Sequence, residues 1–233
     1  ARLLTPSGAA ASPAEQGFVP VPRAGLQDQE PQPGGSVTIA DQNLPPTLDI
    51  HATTNDFLDI IGQHIYQPLV YLDPETKEPV AGLAESWEQS EDGRVWTFTL
   101  RPDVIFHDGN ALTSADVKAS WDRLLDPDTL APRASLLGGD NLVSIETPDE
   151  MTVVVTHNEP MANFLANIAR TFAMVISKAA IEEGNLAEQA VGTGPFRLKD
   201  YSQAGYVTVE RWDDFNWAPE FFQHTGPAYL DEA

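Results

Sequence analysis

The side chains that most often carry chemistry are sparse or poorly spaced in this 233-residue chain. There is no cysteine, which excludes disulfides, thiolate metal sites and a cysteine nucleophile. The histidines show neither H-x-x-x-H nor H-x-H spacing, so hydrogen-bonded or surface histidines are favoured over metal ligands. They are His51, His64, His107, His157 and His224. The sequence therefore predicts no metal site and no cofactor.

Catalytic and nucleotide-binding motifs are also lacking. No G-x-S-x-G, P-loop or G-x-G-x-x-G occurs, and Gly192-Thr-Gly194 is too short a match and predicts a turn. Asp126-Pro-Asp-Thr129 lacks the later Gly and Glu of a calcium loop. The pairs Asp213-Asp214 and Glu182-Glu183 are neighbours whose side chains point apart, which indicates a solvated surface. A hydrolase that uses scattered carboxylates stays open as an alternative.

The charge of the chain is strongly negative. Asp and Glu number 35 against 13 Lys and Arg, for a formal net charge of -22. Phosphate binding needs clustered cations, so nucleic acid is excluded as a partner. A solvated acidic surface, a salty habitat and a cationic ligand all remain open as explanations. No run reaches the ~20 apolar residues of a membrane span, and the start at Ala1 without methionine predicts that a signal segment has been removed.

A hairpin followed by a helix is the clearest pattern. Trp96, Phe98 and Leu100 alternate with smaller residues and predict a strand with one buried face. A second strand is predicted at residues 104–107, ended by an Asp-Gly turn. A helix capped by Thr113 or Ser114 is then expected, and Asp-Pro at residues 126–127 ends it.

The rest of the chain alternates irregularly between predicted strands and helices. Thr53, Thr54 or Asn55 is expected to cap a helix. The buried face of this helix is predicted to contain Phe57, Leu58, Ile60, Ile61 and Ile65. Two further helices are predicted, one opened by Pro160 and one running from Ser177 to Gly184. Further strands are predicted at residues 36–40, 69–72, 142–146, 151–156, 172–176 and 206–211.

The order of several motifs resembles the large extracytoplasmic solute-binding proteins of ABC importers, the oligopeptide, dipeptide and nickel-binding family. The resemblance covers residues 35–233. The motifs are Leu48-Asp-Ile-His51, AG-LAESW, DG-VWTFTLR, FHDG, a T-x-x-D-V helix with S-W-x-R, Gly192-Thr-Gly-Pro-Phe-Arg-Leu198 and Asn216-Trp217.

This resemblance implies an α/β fold with mixed sheets, namely the amino-terminal lobe of a type II periplasmic-binding-protein-like architecture with the second lobe absent. Residues 36–66 and 172–233 are expected to form a discontinuous first subdomain, and residues 67–171 an inserted one. Residues 1–35 are rich in proline and glycine without apolar periodicity, so they predict an extended, disordered tether. The family often carries a lipid on an N-terminal cysteine, but this chain has none.

The implied function is capture of a peptide or similar small solute outside the cytoplasmic membrane and its delivery to an ABC permease, without catalysis. A secreted hydrolase and a structural surface protein that reuses the lobe are the alternatives. Turnover of peptides or glycosides in an assay favours the hydrolase, whereas saturable binding without product favours the transporter.

Five residues are expected to bind the ligand because of their positions in the resembled motifs: His51, Thr54, Asn55, Asp56 and Arg133. A helix N-terminus offers free backbone N–H groups, and an arginine binds a carboxylate bidentately. The other interpretation is that Thr54 and Asn55 only cap a helix and that Arg133 is a solvated loop charge.

Overall fold

A computed structural model describes residues 31–233 apart from residues 43, 204 and 223. Most of the predicted tether, residues 1–30, lies outside the described residues. The helices are α1 (Asp56–Ile65), α2 (Ser114–Leu125), α3 (Phe164–Ile168) and α4 (Lys178–Glu183). The strands are β1 (Val70–Leu72), β2 (Pro79–Ala81), β3 (Ala84–Gln89), β4 (Val95–Leu100), β5 (Leu142–Asp149), β6 (Thr152–His157), β7 (Phe196–Ser202) and β8 (Tyr206–Arg211).

The largest sheet has four antiparallel strands in the order β3-β4-β6-β5. Trp96, Phe98 and Leu100 of β4 are buried, as their alternation predicts, and Phe98 lies opposite Val153 of β6. The predicted pairing of β5 with β6 is confirmed. Two antiparallel pairs, β1-β2 and β7-β8, complete the named strands, and the one parallel bridge in the described residues joins Ser36 to Glu232.

Helix α2 is anchored by polar contacts at its start and midway along its length. Thr113 is its N-cap, as predicted, and its backbone N–H and hydroxyl both donate to Asp116 Oδ2, at 2.9 and 2.8 Å. The other Asp116 oxygen accepts the backbone N–H of Lys178 at 3.0 Å, which ties α2 to the start of α4. Farther along, the fully buried Trp121 donates from Nε1 to the Ala173 carbonyl at 2.9 Å. These bonds satisfy groups that burial would otherwise leave unpaired.

Two apolar cores lie within residues 33–233, which form one compact unit. The first packs the four-stranded sheet against α2 and α3 and also takes in Trp212, Phe215 and Trp217. The second packs α1 against α4 and the β7-β8 pair. The division into a discontinuous subdomain and an inserted one stays a prediction.

Several predicted elements are wrong. Residues 104–107 form no strand, because only one bridge forms, from Ile105 to Ala111 across a tight turn. The backbone N–H of His107 donates outside this turn, to the Gly192 carbonyl. Residues 172–176 are buried, but they begin in a 3-10 turn and make one bridge, from Val175 to Gln67. Their apolar character therefore indicates burial and not a strand. Residues 36–40 are exposed, and of them only Ser36 is bridged.

Two helix predictions also need correction. Helix α3 begins at Phe164 rather than at Pro160, which lies in the preceding turn region. In α1 the buried face is narrower than predicted, since Leu58 and Ile65 are buried while Ile60 is 47% exposed. Ser177 does occupy the N-cap of α4, but its hydroxyl donates to Asp108 Oδ2 at 2.6 Å instead of capping the helix.

The turn at residues 192–195 packs directly on the end of α1. The Gly194 N–H donates to the Ile65 carbonyl at 2.9 Å. A Cβ atom added at Gly192 would overlap the backbone oxygen of Ile65, and one at Gly194 would overlap that of His64. Backbone atoms cannot move aside as a flexible side chain can, so glycine is required here for close approach.

We expect Gly194→Ala to lower the free energy of unfolding by about 1–3 kcal/mol, because the new methyl group must displace helix backbone. Urea denaturation followed by circular dichroism measures the change. Gly205→Ala is the matched control, since a Cβ there meets no atom within 4 Å. Equal effects of the two substitutions would contradict the packing argument.

Candidate ligand-binding site

A buried ion pair holds the segment that leads into α1. Asp49 and His51 lie on this segment, and Arg123 lies in the last turn of α2. Arg123 Nη1 and Nη2 donate to the two Asp49 oxygens at 3.0 and 2.5 Å. The side chains of Arg123 and Asp49 are 23% and 9% exposed, so the pair is largely removed from water. It fixes residues 49–51 against α2.

The same arginine sets the tautomer of His51. Arg123 Nη1 lies 2.8 Å from His51 Nδ1, and a guanidinium can only donate, so Nδ1 accepts and the neutral ring carries its proton on Nε2. Burial and the Arg123 charge lower the pKa of His51 to about 4, although Asp49 acts in the opposite direction. The Nε2 atom and the hydroxyl of Tyr66 are both buried without a partner in the described residues.

The start of α1 presents the other predicted site residues. Asn55 is the N-cap, and its Oδ1 accepts the Leu58 N–H at 2.9 Å. Thr54 and Asp56 are exposed on either side of it. Of the three residues that the sequence offers as the cap, the structure selects Asn55. The exposed helix N-terminus remains suited to a polar or anionic group.

Arg133 comes to the same helix, but its charge is already paired. Its Nη1 lies 3.0 Å from both carboxylate oxygens of Asp59, and the two side chains are 14% and 28% exposed. The structure therefore brings Arg133 next to the first turn of α1, as the site prediction requires. Arg133 is therefore not a solvated loop charge, and its guanidinium is not wholly free to bind a ligand.

A second polar contact joins the FHDG turn to the glycine turn. The backbone N–H of His107 donates to the Gly192 carbonyl at 2.9 Å, and His107 Nε2 lies 3.0 Å from the Gly194 carbonyl. The Gly192 N–H donates to Nδ1 at 3.4 Å. Desolvation, the largest effect, lowers the pKa of His107 to about 4, so the ring is neutral at pH 7.

Two shallow grooves run along β7, away from the predicted site residues. One, of about 500 Å³, is lined by Glu188 and residues 198–203. The other, of about 280 Å³, includes His107, Arg197 and Glu210 in its wall. Neither groove includes any of the five residues predicted to bind ligand, and the site assignment stays a prediction.

Asp49, Arg123, Asp59 and Tyr66 are the neighbours of the predicted site that sequence reasoning did not single out. Asp49 lies inside the Leu-Asp-Ile-His motif and Arg123 inside the S-W-x-R motif. A charged residue among apolar neighbours was thus the feature of the sequence that could have indicated each of them. No local pattern connects them, because Asp49 is 74 positions from Arg123 and Asp59 is 74 positions from Arg133.

Comparison with known proteins agrees with this architecture. Residues 78–233 match the bacterial extracellular solute-binding proteins, family 5 Middle. The glutathione-binding protein GsiB of Pectobacterium atrosepticum is 31% identical over 197 residues, which cover 79% of this chain and 38% of that protein. GsiB of Escherichia coli O6:K15:H31 is 33% identical over the same shares. The chain therefore spans well under half the length of these relatives.

Solved structures show the same fold. The binding protein DppA of Helicobacter pylori, in complex with the peptide STSA, aligns with a TM-score of 0.73 at 29% identity over 86% of this chain and 42% of that one. AgaA of A. tumefaciens R10, in complex with agropinic acid, aligns with a TM-score of 0.70 at 33% identity over 81% and 37% of the two chains.

These alignments define the class of the fold, an α/β lobe of a periplasmic binding protein, as predicted. The chain belongs to the bacterial extracellular solute-binding proteins of family 5, which confirms the resemblance found in its motifs. In residues 31–233, the helices are too short or too polar to cross a bilayer.

Removing the arginine of the buried pair should be costly. We expect Arg123→Met to lower the free energy of unfolding by about 3 kcal/mol, because it leaves the Asp49 carboxylate buried without its cation. Chemical denaturation at pH 7 measures the loss. Lys118→Met on the same helix is the matched control, since its pair with Asp122 is 40% and 53% exposed and should contribute only ~0.5 kcal/mol.

The buried histidine predicts a specific pH dependence. Because the pKa of His51 falls from 6.5 unfolded to about 4 folded, the folded state favours the neutral ring. This contribution is complete above pH 6.5 and is lost as the pH falls toward 4. Between pH 7 and pH 5 the stability advantage of wild type over His51→Asn should shrink by about 2 kcal/mol. Denaturant titrations at the two pH values test this, and a constant difference would contradict it.

Proposed function

We propose that this chain is the amino-terminal part of the solute-binding component of an ABC importer. The protein captures a peptide or similar small solute outside the cytoplasmic membrane and delivers it to a membrane permease. The observation that carries the proposal is the family match over residues 78–233. The names of the relatives agree with it, since GsiB binds glutathione and DppA was solved with a peptide.

The binding residues proposed on this lobe are Thr54, Asn55, Asp56 and Arg133, with His51 behind them. The exposed start of α1 offers backbone N–H groups and the Asp56 carboxylate to the polar backbone of a peptide. Within the described residues, the carboxylate of Asp59 contacts only Nη1 of Arg133, and we propose that the other guanidinium donors bind a ligand carboxylate or carbonyl. His51 is buried, so its role is to hold the Leu-Asp-Ile-His segment in place beneath the loop.

The mechanism proposed is closure of two lobes around the solute. Affinity then arises from excluding water and from backbone and charge-assisted hydrogen bonds. We propose that the protein catalyses no reaction. Incubation of peptides with the protein should therefore give stoichiometric, saturable binding and no product, whereas turnover would favour the hydrolase.

The experiment uses the full-length protein that contains this sequence. Native mass spectrometry identifies solute carried through purification, and calorimetry with that solute or with a panel of di- and tripeptides measures affinity. We expect Asn55→Ala and Arg133→Ala each to weaken binding by about 1–3 kcal/mol, because charge-assisted and buried hydrogen bonds are lost.

Arg94→Ala is the control for the arginine substitution. Arg94 pairs with Asp92 in an exposed turn of the four-stranded sheet, with side chains 49% and 50% exposed, and should leave affinity unchanged. Since Arg133→Ala also frees Asp59, thermal unfolding must show that each variant is folded. Unchanged affinity in folded Asn55 and Arg133 variants would place the site elsewhere, and failure of the solute and of every peptide to bind would contradict the proposed function.

A further inference from the structure

Every basic side chain in residues 31–233 already contacts a carboxylate, an aromatic ring or a backbone carbonyl. Over the whole sequence, Asp and Glu number 35 and Lys and Arg number 13. Of the basic side chains in residues 31–233, Arg101 and Arg170 lie over aromatic rings and Lys77 donates to a backbone carbonyl. All the others form ion pairs. The acidic surplus is therefore not neutralised from within this part of the protein.

Carboxylates crowd together even where cations are present. Arg211 is shared between Asp213 and Asp231, at 2.8 and 2.6 Å. Glu210 and Glu232 are bridge partners on adjacent segments of backbone, an arrangement in which like charges repel. Arg197 forms an ion pair with Glu210, and Lys199 forms one with Glu232. This sheet surface remains negative after its ion pairs are formed.

Other surfaces carry carboxylates that form no ion pair with the described part of the chain. Glu85 and Glu88 are exposed on the edge strand β3, and Glu91 is exposed in the turn that follows. No cation of the described residues forms an ion pair with these three side chains. These carboxylates add to the net negative charge of the protein surface, and the self-repulsion of a large net charge opposes the compact state.

We propose that dissolved inorganic cations supply the neutralisation that the chain lacks, so that the folded protein depends on salt for its full stability. The cations act as a diffuse layer over the acidic surface, and no fixed metal site is involved. The Debye length falls from ~10 Å at 0.1 M salt to ~3 Å at 1 M, which is enough to screen neighbouring surface charges. Most of the stabilisation is therefore gained below about 1 M salt.

The test is thermal unfolding of the 233-residue chain in KCl at pH 7.5, in parallel with the full-length protein. We expect the midpoint temperature to rise by about 5 °C or more between ~0.05 M and ~1 M KCl and to flatten above that. The variant E85K/E88K/E91K should have a higher midpoint than wild type at low salt and a smaller rise with KCl.

A matched control makes substitutions on the same surface without changing charge. The variant S86T/Q89N/T99S should keep the salt response of wild type, since these side chains are exposed and neutral. If the lysine variant fails to fold, E159K/E183K/E220K makes the same change of charge at other exposed positions. A midpoint that is flat or falls with KCl overturns the proposal. An equal rise of the midpoint temperature in wild type and in a folded lysine variant also overturns it. Such a result would mean that KCl stabilises the protein independently of its surface charge.

Discussion

The ion pair between Asp49 and Arg123 is the constraint on which the rest of this lobe depends. It is largely buried, and burying charges is tolerated only when they are paired with good geometry. The two-pronged contact satisfies that condition and leaves Arg123 able to donate to His51 as well. One side chain of α2 thereby fixes the backbone that enters α1, and with it the loop that presents Thr54, Asn55 and Asp56.

The same arrangement recurs at the other contacts around α1. Arg133 reaches the first turn of the helix through Asp59, and the turn at Gly192 and Gly194 packs on its last turn. His107 then holds the glycine turn through its neutral ring. Each of these contacts depends on a polar group or a glycine, because apolar packing alone would not fix the position of the segment that it holds. Helix α1 is consequently held from both ends, while its N-terminus stays exposed.

The ion pairs of Asp49 and Asp59 inside the lobe contrast with the surplus of carboxylates on its surface. Two arginines, Arg123 and Arg133, pair with carboxylates that are buried or half-buried, those of Asp49 and Asp59. Some exposed carboxylates, such as Glu85, Glu88 and Glu91, form no ion pair within residues 31–233 and are solvated by water.

The sequence by itself indicated the family and many of the local elements. The alternation in β4, the stop at Asp126 and the short stretches that contain the caps of α1 and α2 were readable, because period and capping depend on residues within a few positions of one another. Only the tertiary structure decided that residues 104–107 and 172–176 are not strands, because a strand needs a partner that a single segment does not specify. It alone also paired Arg123 with Asp49 and Arg133 with Asp59, since partners 74 positions apart are chosen by packing and desolvation, which leave no periodic trace in the sequence.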